Sequence, residues 1–145
     1  MEICYSPLVG KAVNLDHVAD EMFSQRMLGD GMAIAPEARE VYSPVAGEIT
    51  MVYETQHAIG IKTETGIEIL LHIGIDTVML GGTPFDTKVQ VGDHVQPGDL
   101  LTIVDWNYIR KKGSYVPSHH YDSMDLLVIQ KRQLAILPAA AWLFL

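Results

Sequence analysis

ETQHAIGIKTETGIEILLHIGIDTVM, residues 54 to 79, reads as two strands meeting at a polar, glycine-containing turn, with one histidine on each strand. Ala58 to Ile61 and Ile67 to Ile75 are apolar and β-branched, as strands prefer. Lys62-Thr63-Glu64-Thr65-Gly66 between them is turn chemistry. In an antiparallel pair, facing residues have numbers that add to a constant. A loop of two residues (Glu64-Thr65) or four (Thr63 to Gly66) makes that constant 129, which is also the sum of 57 and 72. His57 and His72 would then face each other, with Cβ atoms about 4.5–5.5 Å apart. A three-residue loop with Gly66 left-handed makes the constant 130 and puts the two on opposite faces. The sequence leaves both registers open.

Working outward, Tyr5-Ser6-Pro7-Leu8-Val9-Gly10 recurs as Tyr42-Ser43-Pro44-Val45-Ala46-Gly47, 37 residues later. Each copy has a proline that cannot donate to a ladder, then a glycine that permits a bend. Either two similar turns arose independently or a β unit was duplicated. Val18 to Leu28 has helical spacing for a turn or two, with Asp16 as the candidate cap. Met32 to Ala35, Val41 to Tyr53, Phe85 to Val91 and Leu101 to Val104 read as strands, with a further short strand between the turns at Gly92-Asp93 and Gly98-Asp99. Asp105 can cap a short helix, Trp106 to Lys112, ended by Gly113. Many short strands at regular spacing argue for an all-β sandwich or barrel with one or two short helices. Asp125 to Leu145 is nearly all apolar apart from Gln130-Lys131-Arg132-Gln133 and reads as a last strand or a short apolar helix.

At 145 residues the chain makes one domain, residues 1–145, with 116–145 as an atypical tail. A net charge of −8 argues against nucleic-acid and anionic-membrane partners and suits a partner with a basic patch. The single cysteine, Cys4, excludes an internal disulfide and fits a reducing compartment. The first residues lack a signal-peptide pattern, and no apolar run approaches the ~20 residues of a membrane span. The expectation is a cytoplasmic protein with no direct membrane insertion.

Lone histidines on apolar strands are more often structural than chemical. Here two stand near small residues (Ala58, Gly60, Gly74) that leave room for a visitor. One chemistry is a covalent phosphoryl carrier, with one imidazole as acceptor, the other stabilising the added oxygens, and Thr55 fixing the second ring's tautomer. A zinc site would need a third ligand, and no HxH or HExxH pattern is present; Asp76 is the nearest carboxylate. A swinging-arm carrier would need a lysine at a hairpin tip, and Lys62 lacks the flanking methionine of such tips.

Gly66 to Val78 resembles the active-site signature of the glucose-type enzyme IIA proteins of the bacterial sugar phosphotransferase system. The resemblance continues through Glu54-Thr55-Gln56-His57-Ala58, Leu28-Gly29-Asp30-Gly31-Met32-Ala33-Ile34, both Ser-Pro strings, Val91-Gly92-Asp93 and the Asp105 to Gly113 segment, covering Ser6 to about Tyr115. It implies an antiparallel β-sandwich with a pseudo-repeat, which the two Ser-Pro strings suit, and a phosphotransferase component that needs no cofactor or metal. His72 would accept phosphoryl from the phosphocarrier protein HPr and pass it to a cysteine of an enzyme IIB component of a IIB/IIC sugar permease. Cys4 lies in no IIB motif, so that component is another chain. His57 would be the supporting histidine and Thr55 its hydrogen-bonding partner. Asp30 and Asp76 would meet the carrier's arginine, and Met32, Tyr53 and Ile73 would form an apolar docking patch, with Ile73 as readily core as contact. The same face could serve a regulatory binding module, and a zinc-dependent hydrolase is the remaining class. After the helix, Tyr115 to Tyr121 is polar where the family has a buried strand. Either the branch ends differently or the reading frame has slipped near Pro117.

Overall fold

The computed structural model describes residues 3–27, 29–112 and 127–132. Their strands are β1 (Gly10–Val13), β2 (Asp30–Pro36), β3 (Glu40–Tyr42), β4 (Gly47–Val52), β5 (Ala58–Lys62), β6 (Glu68–Ile73), β7 (Phe85–Thr87), β8 (His94–Val95), β9 (Leu100–Val104) and β10 (Leu127–Arg132). They form a seven-stranded sheet, ordered β1-β2-β10-β6-β5-β4-β8, and a three-stranded sheet, β3-β9-β7. Every pairing between them is antiparallel. Helices are minor: α1 (Glu21–Ser24), α2 (Trp106–Lys112) and two 3-10 turns at Leu15–His17 and Thr77–Leu80. The all-β expectation holds.

Two apolar clusters use opposite faces of the large sheet. Ile34 of β2, Ile59 and Ile61 of β5, and Ile69, Leu71 and Ile73 of β6 pack with Val41, Leu101 and Val104 of the small sheet into the main core. Ala33 and Ala35 alternate with Met32 and Ile34 along β2, and belong instead to a second cluster with Val13, Leu15, Val18 and Phe23. Side chains alternate faces along a strand, so this second cluster covers the outer face. His72, between Leu71 and Ile73, points to that outer face.

The repeated strings take the same local structure. Ser6 Oγ donates to the Leu8 carbonyl at 2.8 Å, and Ser43 Oγ to the Val45 carbonyl at 2.7 Å. The copies also bond to each other reciprocally: Tyr5 N–H to the Pro44 carbonyl (2.9 Å) and Tyr42 N–H to the Pro7 carbonyl (2.7 Å). Gly10 and Gly47 each open a strand so close to its neighbour that a Cβ would lie 2.3 Å from the Ala35 carbonyl oxygen or 2.5 Å from that of Lys62. Both positions therefore need glycine.

Two expectations are corrected locally. Asp20, not Asp16, caps the helix in the 18–28 segment: its Oδ1 accepts from the Met22 N–H at 2.8 Å, and the helix is a single turn. The strand at Phe85 stops at Thr87, because Gln90 to Asp93 forms a turn closed on the Asp93 carboxylate (2.9 Å). Of the two readings of the tail, residues 127–132 take the strand, which lies inside the sheet between β2 and β6. The polar stretch 115–121, Gly113 and the question of a slipped frame lie outside the described residues. Asp105 does cap α2, its Oδ1 accepting from Tyr108 N–H at 3.0 Å.

Candidate functional site

The central hairpin has the three-residue loop. Thr63 N–H donates to the Ile67 carbonyl (2.9 Å), Gly66 takes φ +87°, and the ladder pairs Ala58 with His72 and Lys62 with Glu68. The constant is thus 130, and the even-loop register is not the one adopted. Yet the imidazoles meet: their centroids stand 5.1 Å apart at 73°. The reason lies upstream. His57 precedes the strand, at the end of a turn in which Gln56 N–H donates to the Tyr53 carbonyl (2.8 Å) and Gln56 takes φ +58°. Its carbonyl still closes the ladder, accepting from Ile73 N–H at 2.7 Å. Its ring, however, is freed from strand alternation and turns to the face that carries His72.

Both rings are held through Nδ1. The Gly74 carbonyl lies 2.8 Å from His72 Nδ1. A carbonyl only accepts, so Nδ1 carries the proton and Nε2 keeps its lone pair. Gly74 takes φ +82°, which lets the chain fold its carbonyl back beneath the imidazole two residues earlier. The wholly buried Thr77 hydroxyl pins this turn by donating to the Ile73 carbonyl. Thr55 Oγ1 stands 2.6 Å from His57 Nδ1. With the hydroxyl as donor, His57 Nε2–H is free to donate to a visitor.

The electrostatics follow from this packing. Burial pushes the His72 pKa down to about 4, and neighbouring His57 acts in the same direction; the Gly74 hydrogen bond and the charges of Asp20 and Asp76 oppose it. Burial also lowers His57, which is 6% exposed. Near neutral pH His72 is therefore a neutral imidazole with a free nitrogen lone pair.

The expected partner-binding residues divide. Tyr53 is 48% exposed and its ring lies 4.9 Å from that of His57. Asp76 is exposed, in a left-handed conformation (φ 56°) at the start of the Thr77–Leu80 turn. Asp30 is half-buried and already engaged: its Oδ1 accepts from Arg26 Nε (3.0 Å) and Gly31 N–H (2.9 Å). It is also set back from the pair. Val128 of β10 faces both Ala33 and His72, whereas Lys131 faces both Asp30 and Ile69. Strand spacing and rise then separate the Asp30 and His72 backbones by roughly 14 Å. Two residues leave the expected docking patch. Ile73 is wholly buried in the main core, and Met32 is half-buried against it on the inner face. Exposed apolar side chains among the described residues include Tyr53 (48%) beside His57, Val78 (48%) and Met79 (84%) in the turn that follows His72 and Asp76, and Met22 (44%), the chain neighbour of Phe23.

Sequence reasoning missed Phe23, whose ring meets that of His72 edge-on with centroids 4.9 Å apart, and the carbonyl role of Gly74. The helical spacing of the 18–28 segment marked Phe23 as apolar, but nothing local said what it would cover. The zinc reading required a third ligand. Among the described residues no three His, Cys, Asp or Glu side chains are grouped to hold a metal ion. Nor is any helix of the described residues long and apolar enough to cross a membrane.

Residues 2–119 match the family model described as phosphoenolpyruvate-dependent sugar phosphotransferase system, EIIA 1. The chain is 42% identical over 135 residues to the PTS system glucose-specific EIIA component of Halalkalibacterium halodurans, across 92% of this chain and 78% of that protein. Among solved structures it resembles the glucose permease IIA from Mycoplasma capricolum, with a TM-score of 0.77 and 41% identity over 89% of this chain and 78% of that one. It also resembles the M23 metalloprotease pseudoalterin (TM-score 0.52, covering 92% of this chain and 70% of that one), but at 13% identity, which shows a likeness of fold alone. The chain therefore belongs to the EIIA type 1 family of the phosphoenolpyruvate-dependent sugar phosphotransferase system, whose members are phosphoryl carriers.

Proposed function

We propose that His72 Nε2 is the phosphoryl acceptor, that HPr is the donor, and that a cysteine of an enzyme IIB component is the next acceptor. The observation that carries this reading is the hydrogen bond from His72 Nδ1 to the Gly74 carbonyl. It leaves Nε2 as the nucleophilic nitrogen, beside a second imidazole at 5.1 Å. In the transfer, the N–P bond of the carrier's phosphohistidine breaks as the Nε2–P bond forms. The Nδ1 proton stays in its bond to the Gly74 carbonyl, which disperses the positive charge the ring acquires. His57 Nε2–H donates to a phosphoryl oxygen, and Thr55 fixes the tautomer that makes this donor available. Onward, a thiolate attacks phosphorus and the bonding pair returns to Nε2.

Docking uses the apolar rim of Tyr53, Val78, Met79 and Met22 together with the exposed carboxylate of Asp76, which suits a carrier presenting an arginine among apolar residues. The protein works in the cytoplasm, where the lone Cys4 thiol is at home. His72→Ala should abolish uptake of phosphoryl from HPr. His57→Gln should still be phosphorylated at His72 but fail to pass the group on, since the amide replaces the Thr55-oriented imidazole donor to the phosphoryl oxygens as phosphorus leaves Nε2. Labelling of the His72→Ala protein by the carrier would overturn the assignment.

A further inference from the structure

The outer face of the large sheet is covered beside His72 by one short segment, residues 14–27, which is fastened at several points. The Asn14 carboxamide caps the 3-10 turn at Leu15–His17, its oxygen accepting from Asp16 N–H at 3.0 Å. Asp20 caps α1. Arg26, in a left-handed conformation (φ 54°), ties the far end down by bridging Asp16 (2.6 Å) and Asp30 (3.0 Å). Surface ion pairs are weak singly, but two on one guanidinium fix a chain reversal that a one-turn helix could not hold alone. The product is the placement of Phe23. It is 3% exposed, packed with Leu15, Val18 and Ala33, and its ring meets the His72 imidazole edge-on at 64°.

We propose that Phe23 is a positioning residue for phosphoryl transfer, fixing the tilt of the His72 imidazole between itself and His57 and keeping water off that side of the ring. The proposal rests on His72 being the acceptor. An imidazole held only by its Nδ1 bond could still rock about that bond. The rings of Phe23 and His57, with centroids 4.9 and 5.1 Å from that of His72 and steeply inclined to it, restrict that motion. In-line attack needs the nitrogen lone pair aimed at phosphorus, and small misplacements of a reacting atom cost rate steeply. Phe23 also supplies part of the burial that keeps the ring neutral. The ionisable groups acting on His72 among the described residues are His57, Asp20 and Asp76. Asp20 sits on the same fastened segment, so the segment delivers both an apolar wall and a carboxylate.

The test uses the full chain with Phe23→Ala, the bulk-retaining Phe23→Leu, and Val18→Ala as a control in the same cluster. The unphosphorylated His72 ring is titrated by NMR, and phosphorylation by HPr is followed at several carrier concentrations. Phe23→Ala should readmit water to the ring and raise its proton affinity about tenfold. It should lower kcat for phosphorylation roughly tenfold at unchanged KM, since the docking rim is untouched. Phe23→Leu, which keeps the fold, should move both readouts in the same direction but less. Val18→Ala should lose stability yet leave the His72 titration and kcat in place. If both Phe23 variants titrate and turn over as the parent does, or Val18→Ala shifts them equally, Phe23 is ordinary core. Absence of phosphate on His72 in the parent protein would instead overturn the acceptor reading, and the titration result would stand apart from it.

Discussion

Keeping His72 neutral in the folded protein has a cost that grows with acidity. Its pKa of about 4 compares with 6.5 for an unperturbed imidazole. Below pH 6.5 the unfolded chain takes a proton that the folded chain refuses, so the unfolded state binds more protons and stability falls with falling pH. The loss begins near pH 6.5, accumulates down to about pH 4, and levels off once the folded ring also protonates. In full it is about 3 kcal/mol, of which about 2 kcal/mol is incurred between pH 7.5 and 5. The comparison to make is with His72→Asn, whose amide nitrogen can occupy the place of Nδ1 and keep the bond to the Gly74 carbonyl. Other titrating groups, including the lowered His57, are shared by the two chains. Urea unfolding at pH 7.5 and 5.0, followed by fluorescence of the buried Trp106, gives the four stabilities required. The parent should lose about 2 kcal/mol more than the variant between the two pH values. Equal losses, or a larger loss in the variant, would mean that His72 titrates normally and that the picture of a half-buried, neutral nucleophile is wrong.

Further outcomes follow from the same geometry. Thr55→Val removes the hydroxyl 2.6 Å from His57 Nδ1, and should slow onward transfer to the IIB cysteine about tenfold in rapid-quench kinetics while His72 still accepts phosphoryl. Asp20→Asn keeps the helix cap but removes a charge that raises the His72 pKa, so NMR titration should find His72 lower still. Met79→Asp places a carboxylate on the most exposed apolar side chain of the rim, and should raise the KM for HPr several-fold with kcat and thermal stability unchanged.

Much of this was legible in the sequence because period-2 patterning and turn residues agree. The alternation of Ile59 and Ile61 with Ala58 and Gly60, and of Ile69, Leu71 and Ile73 with His72, specified which side chains meet the main core. The paired Ser-Pro strings signalled two like turns, and both make the same hydroxyl-to-carbonyl bond. The register was harder. An even and an odd loop fit the same residues, and only the left-handed Gly66 selects between them. The meeting of the histidines then depends on a left-handed residue that is not glycine, Gln56, for which composition carries no signal. Ile73 and Met32 entered the docking patch through the family resemblance, as apolar residues taken to surround the site. Alternation, applied strictly, sends both to the inner face. Phe23 was out of reach for the opposite reason. It comes to His72 through a long-range fold of the chain, fixed by Arg26 bridging Asp16 and Asp30, which no local pattern encodes.

The most direct measurement is phosphorylation itself. The protein is incubated with phosphoenolpyruvate, enzyme I and HPr, and the product is followed by mass spectrometry and phosphorus NMR with nitrogen-labelled histidine. One acid-labile phosphate per chain, bonded to Nε2 of His72 while Nδ1 keeps its proton, is the expected result. A phosphate on Nδ1, on His57, or on no histidine at all would contradict the account, because the Gly74 carbonyl would then not be what readies the ring.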